Sequence, residues 1–313
     1  PRIGIVALCL SGLAIGCGAT LVAACAHDRS PEKPKAHSTP ATSRPASTPT
    51  TRSPSPRSTS PRSTGLPSDI TLPPVNAGFD YQLGGAYTVP RGVGVVSRDS
   101  EEPPASGVYS ICYVNAFQTQ PGDISWWKSK HPDLLLRGTN GPVVDSEWDE
   151  ILLDISTETK RQALMKIVGP WIDGCAAGGF KAVEPDNLDS WTRSGARLTR
   201  AHAVAFSRLL VSRAHAAGLA IGQKNALDLG KNARTGIGFD FAIAESCADY
   251  EISEGVPECQ GYQDIYGNHV IVIEYDDEHF DLACERFGAS LSIVRRDGAL
   301  STPGSREYVF DLC

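Results

Sequence analysis

Short apolar runs separated by helix-like stretches recur along most of this chain, and that alternation restricts the fold more than any other feature. The runs are residues 93–96, 109–115, 151–155, 182–186, 220–225, 239–245, 270–275 and 291–295. Strands apolar on both faces need cover on both faces, which a parallel sheet between helices supplies. Between the runs the spacing turns helical. Ala203, Phe206, Leu210, Ala214 and Ala217 share one face, with Gly218 as a stop; Phe280, Ala283, Cys284 and Phe287 repeat the pattern before Gly288. Eight such units within residues 69–313 predict an α/β fold, a (β/α)8 TIM barrel. The competing arrangement is an open doubly wound sheet. It would carry a Gly-rich phosphate loop after an early strand, and neither G-x-G-x-x-G nor G-x-x-x-x-G-K-[ST] occurs.

The chain ahead of this domain is of two kinds. Residues 1–25 are apolar with one charge, Arg2, and end in Val22-Ala23-Ala24-Cys25, which resembles a bacterial lipobox. This predicts a lipoprotein signal peptide with lipidation at Cys25; the competing reading is a plain transmembrane anchor. Residues 26–68 are dominated by Pro, Ser, Thr and basic residues, with almost no large apolar side chain to offset ordering entropy, and predict a disordered linker. The expectation is an extracellular, cell-surface lipoprotein, monomeric, touching the bacterial membrane only through the lipid on Cys25.

Charge and cysteines narrow the class. The net charge is −7, but residues 1–64 carry eight basic and two acidic side chains, which leaves −13 on the remainder. A domain so acidic repels nucleic acid and favours cationic partners, though an acidic surface also serves solubility alone. Of nine cysteines, Cys9 and Cys17 fall in the signal segment and Cys25 at its end. The other six read as three disulfides of an exported domain, with 15 possible pairings. Cys247–Cys259 is the first choice because it closes a short loop; Cys112–Cys175 and Cys284–Cys313 then follow, with a buried free thiol the competing reading for Cys284.

Polar residues stand at the C-terminal ends of the expected strands, the face on which barrels of this type do chemistry. They are Tyr113 and Asn115; Glu184, Asp186, Asn187 and Asp189; Lys224 and Asn225; Glu245; Glu274 and Tyr275. Two carboxylates on near-neighbouring strands can face each other across a sugar, one as proton donor and one as nucleophile or base. Asp186 and Glu245 fit these roles. Glu184 shares the face of Asp186 one layer deeper, Asp189 is positioned to bind a hydroxyl or ammonium, and Lys224 to hold a carboxylate ionised. Trp191 and Trp126-Trp127 are the preferred sugar-stacking candidates, and Trp171 reads as core. The domain histidines form no H-x-H or H-E-x-x-H, and no G-x-S-x-G elbow occurs, so no metal and no cofactor is expected.

At these residues the chain resembles a known family. Asp80-Tyr81-Gln82-Leu83, Ile111-Cys112-Tyr113-Val114-Asn115, Val183-Glu184-Pro185-Asp186-Asn187-Leu188-Asp189, Gln223-Lys224-Asn225, Ala244-Glu245-Ser246-Cys247 and Ile273-Glu274-Tyr275 are similar, in order, to elements of glycoside hydrolase family 114. The resemblance implies a TIM-barrel endo-α-1,4-polygalactosaminidase acting on galactosamine-containing polysaccharide, with Asp186 and Glu245 catalytic. Ser246 departs from the Gln usual there. By analogy with other α-glycosidase barrels Asp186 is nucleophile and Glu245 acid/base, which gives retention. The alternative is a non-catalytic glycan-binding lipoprotein on the same scaffold.

Overall fold

The computed structural model describes residues 70–313; the signal segment 1–25, Cys25 and the linker 26–68 lie outside the described residues. Eight parallel strands follow one another around a wall: β1 (Gly78–Gln82), β2 (Val93–Asp99), β3 (Tyr109–Asn115), β4 (Ala182–Asp186), β5 (Ala220–Lys224), β6 (Phe241–Glu245), β7 (Val270–Glu274) and β8 (Ser292–Arg296). A ninth, β9 (Phe310–Leu312), pairs antiparallel with β8. The main helices are α1 (Ile124–Lys130), α2 (Glu158–Gly178), α3 (Arg200–Ala216), α4 (Glu258–Tyr266) and α5 (Asp277–Phe287). The architecture is the expected TIM barrel, with an interrupted helical layer: β1 passes to β2, and β2 to β3, without an intervening helix.

Side chains alternate across each strand, so two cores form. Phe79, Tyr81, Val95, Ile111, Ala182, Ala220, Phe241, Ile243, Ile271, Ile273 and Val294 fill the lumen. Val183, Ile221, Ala242, Ala244, Val270 and Val272 point outward into the layer shared with the helices. Gly222 belongs to the lumen packing: a Cβ there would sit 2.9 Å from the Phe241 ring. Local caps set where helices begin. Thr157 accepts from Lys160 N ahead of α2, Thr199 and His202 form a capping box on α3, and Asp276 accepts from His279 N on α5. Disulfides Cys112–Cys175 and Cys284–Cys313 tie β3 to α2 and α5 to the chain end, and Cys247–Cys259 closes the loop after β6.

Two strand assignments change. Residues 151–155 are not a wall strand. Glu150–Ile151 pairs antiparallel with Val144–Asp145 in a small hairpin within the long β3–β4 connection, while Leu152 and Leu153 make single bridges to Gln118 and Leu135. The run is apolar because the connection folds inward and buries it. The missing wall strand is β1, whose sequence alternates apolar with polar. Phe79 and Tyr81 enter the lumen, while Asp80 and Gln82 are fully buried on the outer face among polar partners.

That polar outer face closes the barrel. β1 comes beside β8 without ladder hydrogen bonds, because β9 occupies the β8 edge. Arg296, fully buried, bridges the seam instead. Its Nη1 donates to Asp80 Oδ1 at 2.8 Å and to the Tyr81 carbonyl, Nε donates to Val309 O, and Nη2 to Ser301 O. Asp80 also accepts from Tyr87 Oη and Gln82 Nε2. Removing the cation strands a buried carboxylate, so Arg296→Met is expected to lose about 3–5 kcal/mol of stability. Asp80→Leu/Arg296→Leu should lose much less. Urea denaturation of the three proteins measures the difference.

Candidate active site

The barrel mouth holds a cleft of about 380 Å³ lined by residues that include Tyr81, Tyr113, Asp186, Asn187, Lys224, Asn225, Glu245 and Tyr275. Inward parity carries these side chains there. Ala182, Glu184 and Asp186 rise along the inner face of β4, Ala220, Gly222 and Lys224 along β5, and Phe241, Ile243 and Glu245 along β6. The lumen is therefore apolar at its base and charged at its top. The chain then leaves each strand abruptly. Asn187, Asn225 and Ser246, directly after the three charged residues, all adopt positive φ, at 65°, 48° and 52°. Short polar side chains tolerate this region best, because they bond locally. Asn225 does so across strands: its Oδ1 accepts from Glu245 N at 2.8 Å and its Nδ2 donates to Glu245 Oε2 at 3.0 Å.

Lys224, 2% exposed, is the centre of the arrangement. Its Nζ lies 3.1 Å from Glu184 Oε1, 3.4 Å from Asp186 Oδ1 and 3.1 Å from Glu245 Oε2, and donates to Tyr81 Oη at 2.8 Å. Burial disfavours the ammonium, but Asp186, Glu245 and Glu184 outweigh it and push the Lys224 pKa well up. Asp186 is the reciprocal case. Burial would raise its pKa; Lys224, the Tyr113 hydroxyl at 2.8 Å and the Asn187 N–H together pull it below the usual carboxylate value. Tyr113 and Tyr275 are held protonated by burial and by the adjacent carboxylates. Tyr275 donates to Glu245 Oε1 at 2.5 Å. Glu184 is fully buried beneath the cleft, accepting from Tyr81 Oη and Ser97 Oγ; burial raises its pKa against the pull of Lys224.

The structure brings most of the expected residues into or directly under the cleft, with two exceptions. Asn115 stands behind it, its Oδ1 accepting from Asn187 Nδ2 and its Nδ2 donating to Glu150. Glu274 faces away: it has outward parity on β7, is fully buried, and accepts from Ala248 N at 3.0 Å. Strand-end position marked it as a site residue; the side of the strand on which it falls excludes it from the cleft. Asp189 lines the cleft while paired with Arg193, which also bonds Asp145, Asn187 and Gln118.

Sequence reasoning missed Asp145, Glu147 and Glu150, which the β3–β4 connection delivers to the cleft, along with Arg193 and the 298–300 turn. The acidic cluster around Trp148, just ahead of the run read as strand, was the available signal. The tryptophan at the cleft is Trp148, 59% exposed, rather than Trp191 or the Trp126-Trp127 pair. His202 serves as a helix cap, and His215 Nε2 lies 2.9 Å from Asp240. Among the described residues, Cys247, Cys259 and Glu274 converge closely enough for a metal, but the two sulfurs are bonded to each other.

Paired carboxylates at the mouth of a parallel barrel, held by a buried lysine, define a glycosidase of the TIM-barrel class. The family model described as glycoside-hydrolase family GH114 matches residues 59–313, and the chain belongs to that family. Among solved structures it is similar to Aspergillus fumigatus Ega3 in complex with galactosamine, at 23% identity and TM-score 0.61, covering 79% of this chain and 99% of that one. It is also similar to the glycoside hydrolase domain of PelA from Pseudomonas aeruginosa, at 16% identity and TM-score 0.51, covering 74% and 98%. No curated protein matches the chain.

Two outcomes follow from these electrostatics. Lys224→Met removes the shared cation, so the Asp186 pKa should rise, which NMR titration of its carboxyl carbon measures. An unchanged Asp186 titration would leave Lys224 without that role. Burial raises the Glu274 pKa to about 7, against partial lowering by the Ala248 N–H. The native state then holds an extra proton between the unfolded value and about 7. Its stability therefore declines as pH rises through that window, on the order of 3 kcal/mol in all. Glu274→Gln has no such proton, and its stability relative to the parent should be greater at pH 8 than at pH 5 in urea melts.

Proposed function

We propose that this chain cleaves an α-1,4-linked, galactosamine-containing polysaccharide outside the cell with retention of configuration, Asp186 acting as nucleophile and Glu245 as acid/base. The observation that carries the reading is the shared lysine. With contacts of 3.4 Å and 3.1 Å to one ammonium, the facing oxygens of Asp186 and Glu245 are at most about 6.5 Å apart. Retaining sites place their carboxyl groups about 5–5.5 Å apart, whereas inverting sites leave about 6.5–9.5 Å for a water. Asp186, kept ionised, attacks the anomeric carbon as Glu245 protonates the leaving oxygen. Glu245 then takes a proton from water as the water displaces Asp186. Lys224 and Tyr113 hold the Asp186 carboxylate in line for the attack.

Family membership supports the glycosidic reaction, and the galactosamine bound to the Aspergillus protein supports the substrate class. Charge is consistent with it: Asp145, Glu147, Glu150, Asp186, Asp189 and Glu245 line the cleft against Arg193 and Lys224, which suits amino sugars carrying ammonium groups. The three disulfides support an oxidising, extracellular setting. The apolar segment ending at Cys25 supports a lipid anchor. Incubation with α-1,4-galactosamine polymer should release new reducing ends that NMR shows first as the α-anomer. Asp186→Asn and Glu245→Gln should each lose about 10³-fold or more while remaining folded. Parental rates in either variant, or a β-anomer appearing first, would overturn the assignment.

A further inference from the structure

A second groove, of about 520 Å³, runs along the outer side of the barrel where the helical layer is interrupted. It lies between α2 and the helix-free β2–β3 connection, with the start of α1 at one edge. Two tryptophans stand in a wall that is otherwise mostly polar. Trp126 is 41% exposed, and Trp171 is partly buried. Trp127, 1% exposed, stands between them, with ring centroids 5.1 Å from Trp126 and 6.2 Å from Trp171, both edge-on. The two wall rings are thus braced by a buried third, which fixes their orientation before any ligand arrives. On α2 the space opens at Gly174, where an added Cβ would meet nothing within 4 Å. Glu101 and Asp123 line the groove, and their carboxylates have no ion-pair partner among the described residues.

The groove backs directly onto the active cleft. Gln118 lines it, while Gln118 Nε2 donates to Glu150 and Asp145, two residues of the cleft, and Asn115 Oδ1 accepts from Asn187 Nδ2. One layer of side chains separates the two spaces. Rigid aromatic faces with unpaired carboxylates suit a pyranose ring bearing an ammonium group: the apolar ring face stacks and the cation pairs. The geometry points to a non-catalytic binding site for a distal segment of the same amino-sugar polymer, held while another segment occupies the cleft. The choice of amino sugar rests on the substrate reading above.

Filling the groove tests the assignment without touching the cleft. Gly174→Leu places a side chain in the open space and exchanges a helical glycine for a better helix former. Trp126→Ala removes one wall. In an Asp186→Asn background, calorimetric titration with short galactosamine oligomers should give two sites, reduced to one by either substitution. In the active enzyme, either substitution should raise KM on long polymer about 10-fold, in line with the loss of one stacked ring, with kcat on short oligomers unchanged. Unaltered stoichiometry and polymer KM in both variants would overturn the second site while leaving the enzyme reading intact. A parent chain that neither binds nor cleaves the oligomers would remove both.

Discussion

A single buried ammonium sets the terms for this barrel mouth. Three carboxylates around one point would repel one another and resist burial, and Lys224 makes their convergence tolerable. It also fixes their geometry, because each acid must stay within hydrogen-bonding reach of the same nitrogen. Glu184 serves as the floor of the arrangement. It takes Tyr81 and Ser97 as further donors, which ties the charged layer to β1 and β2. Asp186 and Glu245 complete it at the rim, where each retains partial access to solvent.

The scaffold beneath is less regular than an eightfold repeat. Two of the connections lack helices, and the first and last wall strands meet through Arg296 and its polar partners rather than through a ladder. The long β3–β4 connection compensates at the mouth. It packs Leu134, Leu135, Leu152 and Leu153 into the outer core and from that anchor presents Asp145, Glu147, Trp148 and Glu150 to the cleft. The acidity of the cleft is therefore divided between strand ends, which are held by the ladder, and one connection held by its own apolar contacts.

Much of this was legible in the sequence, for identifiable reasons. Seven of the eight wall strands are continuous apolar runs or nearly so, and the charged residues closing them announce a functional face. β1 escaped because its outer face is covered by an arginine network instead of a helix, so Asp80 and Gln82 broke the apolar run. Residues 151–155 misled for the opposite reason: burial, not strand pairing, made them apolar. At the site, residues next to a strand end were readable, whereas Glu150, Arg193 and Trp148 depend on how a connection of more than sixty residues doubles back (β3 ends at Asn115 and β4 begins at Ala182). No local spacing encodes that path. Glu274 shows the remaining gap, since strand-end position alone does not say which face a carboxylate takes.

The left-handed residues after Asp186, Lys224 and Glu245 separate two inheritances in the same polypeptide. Up to each of those turns the backbone belongs to the ladder; beyond it the chain has already changed direction and owes the ladder nothing. Loops at this rim can thus lengthen, shorten or be exchanged while these three charged side chains keep their mutual placement. A lineage built this way can diversify the polymers it recognises while conserving its chemistry, and an engineer can graft new specificity at positions 188, 227 and 248 onward.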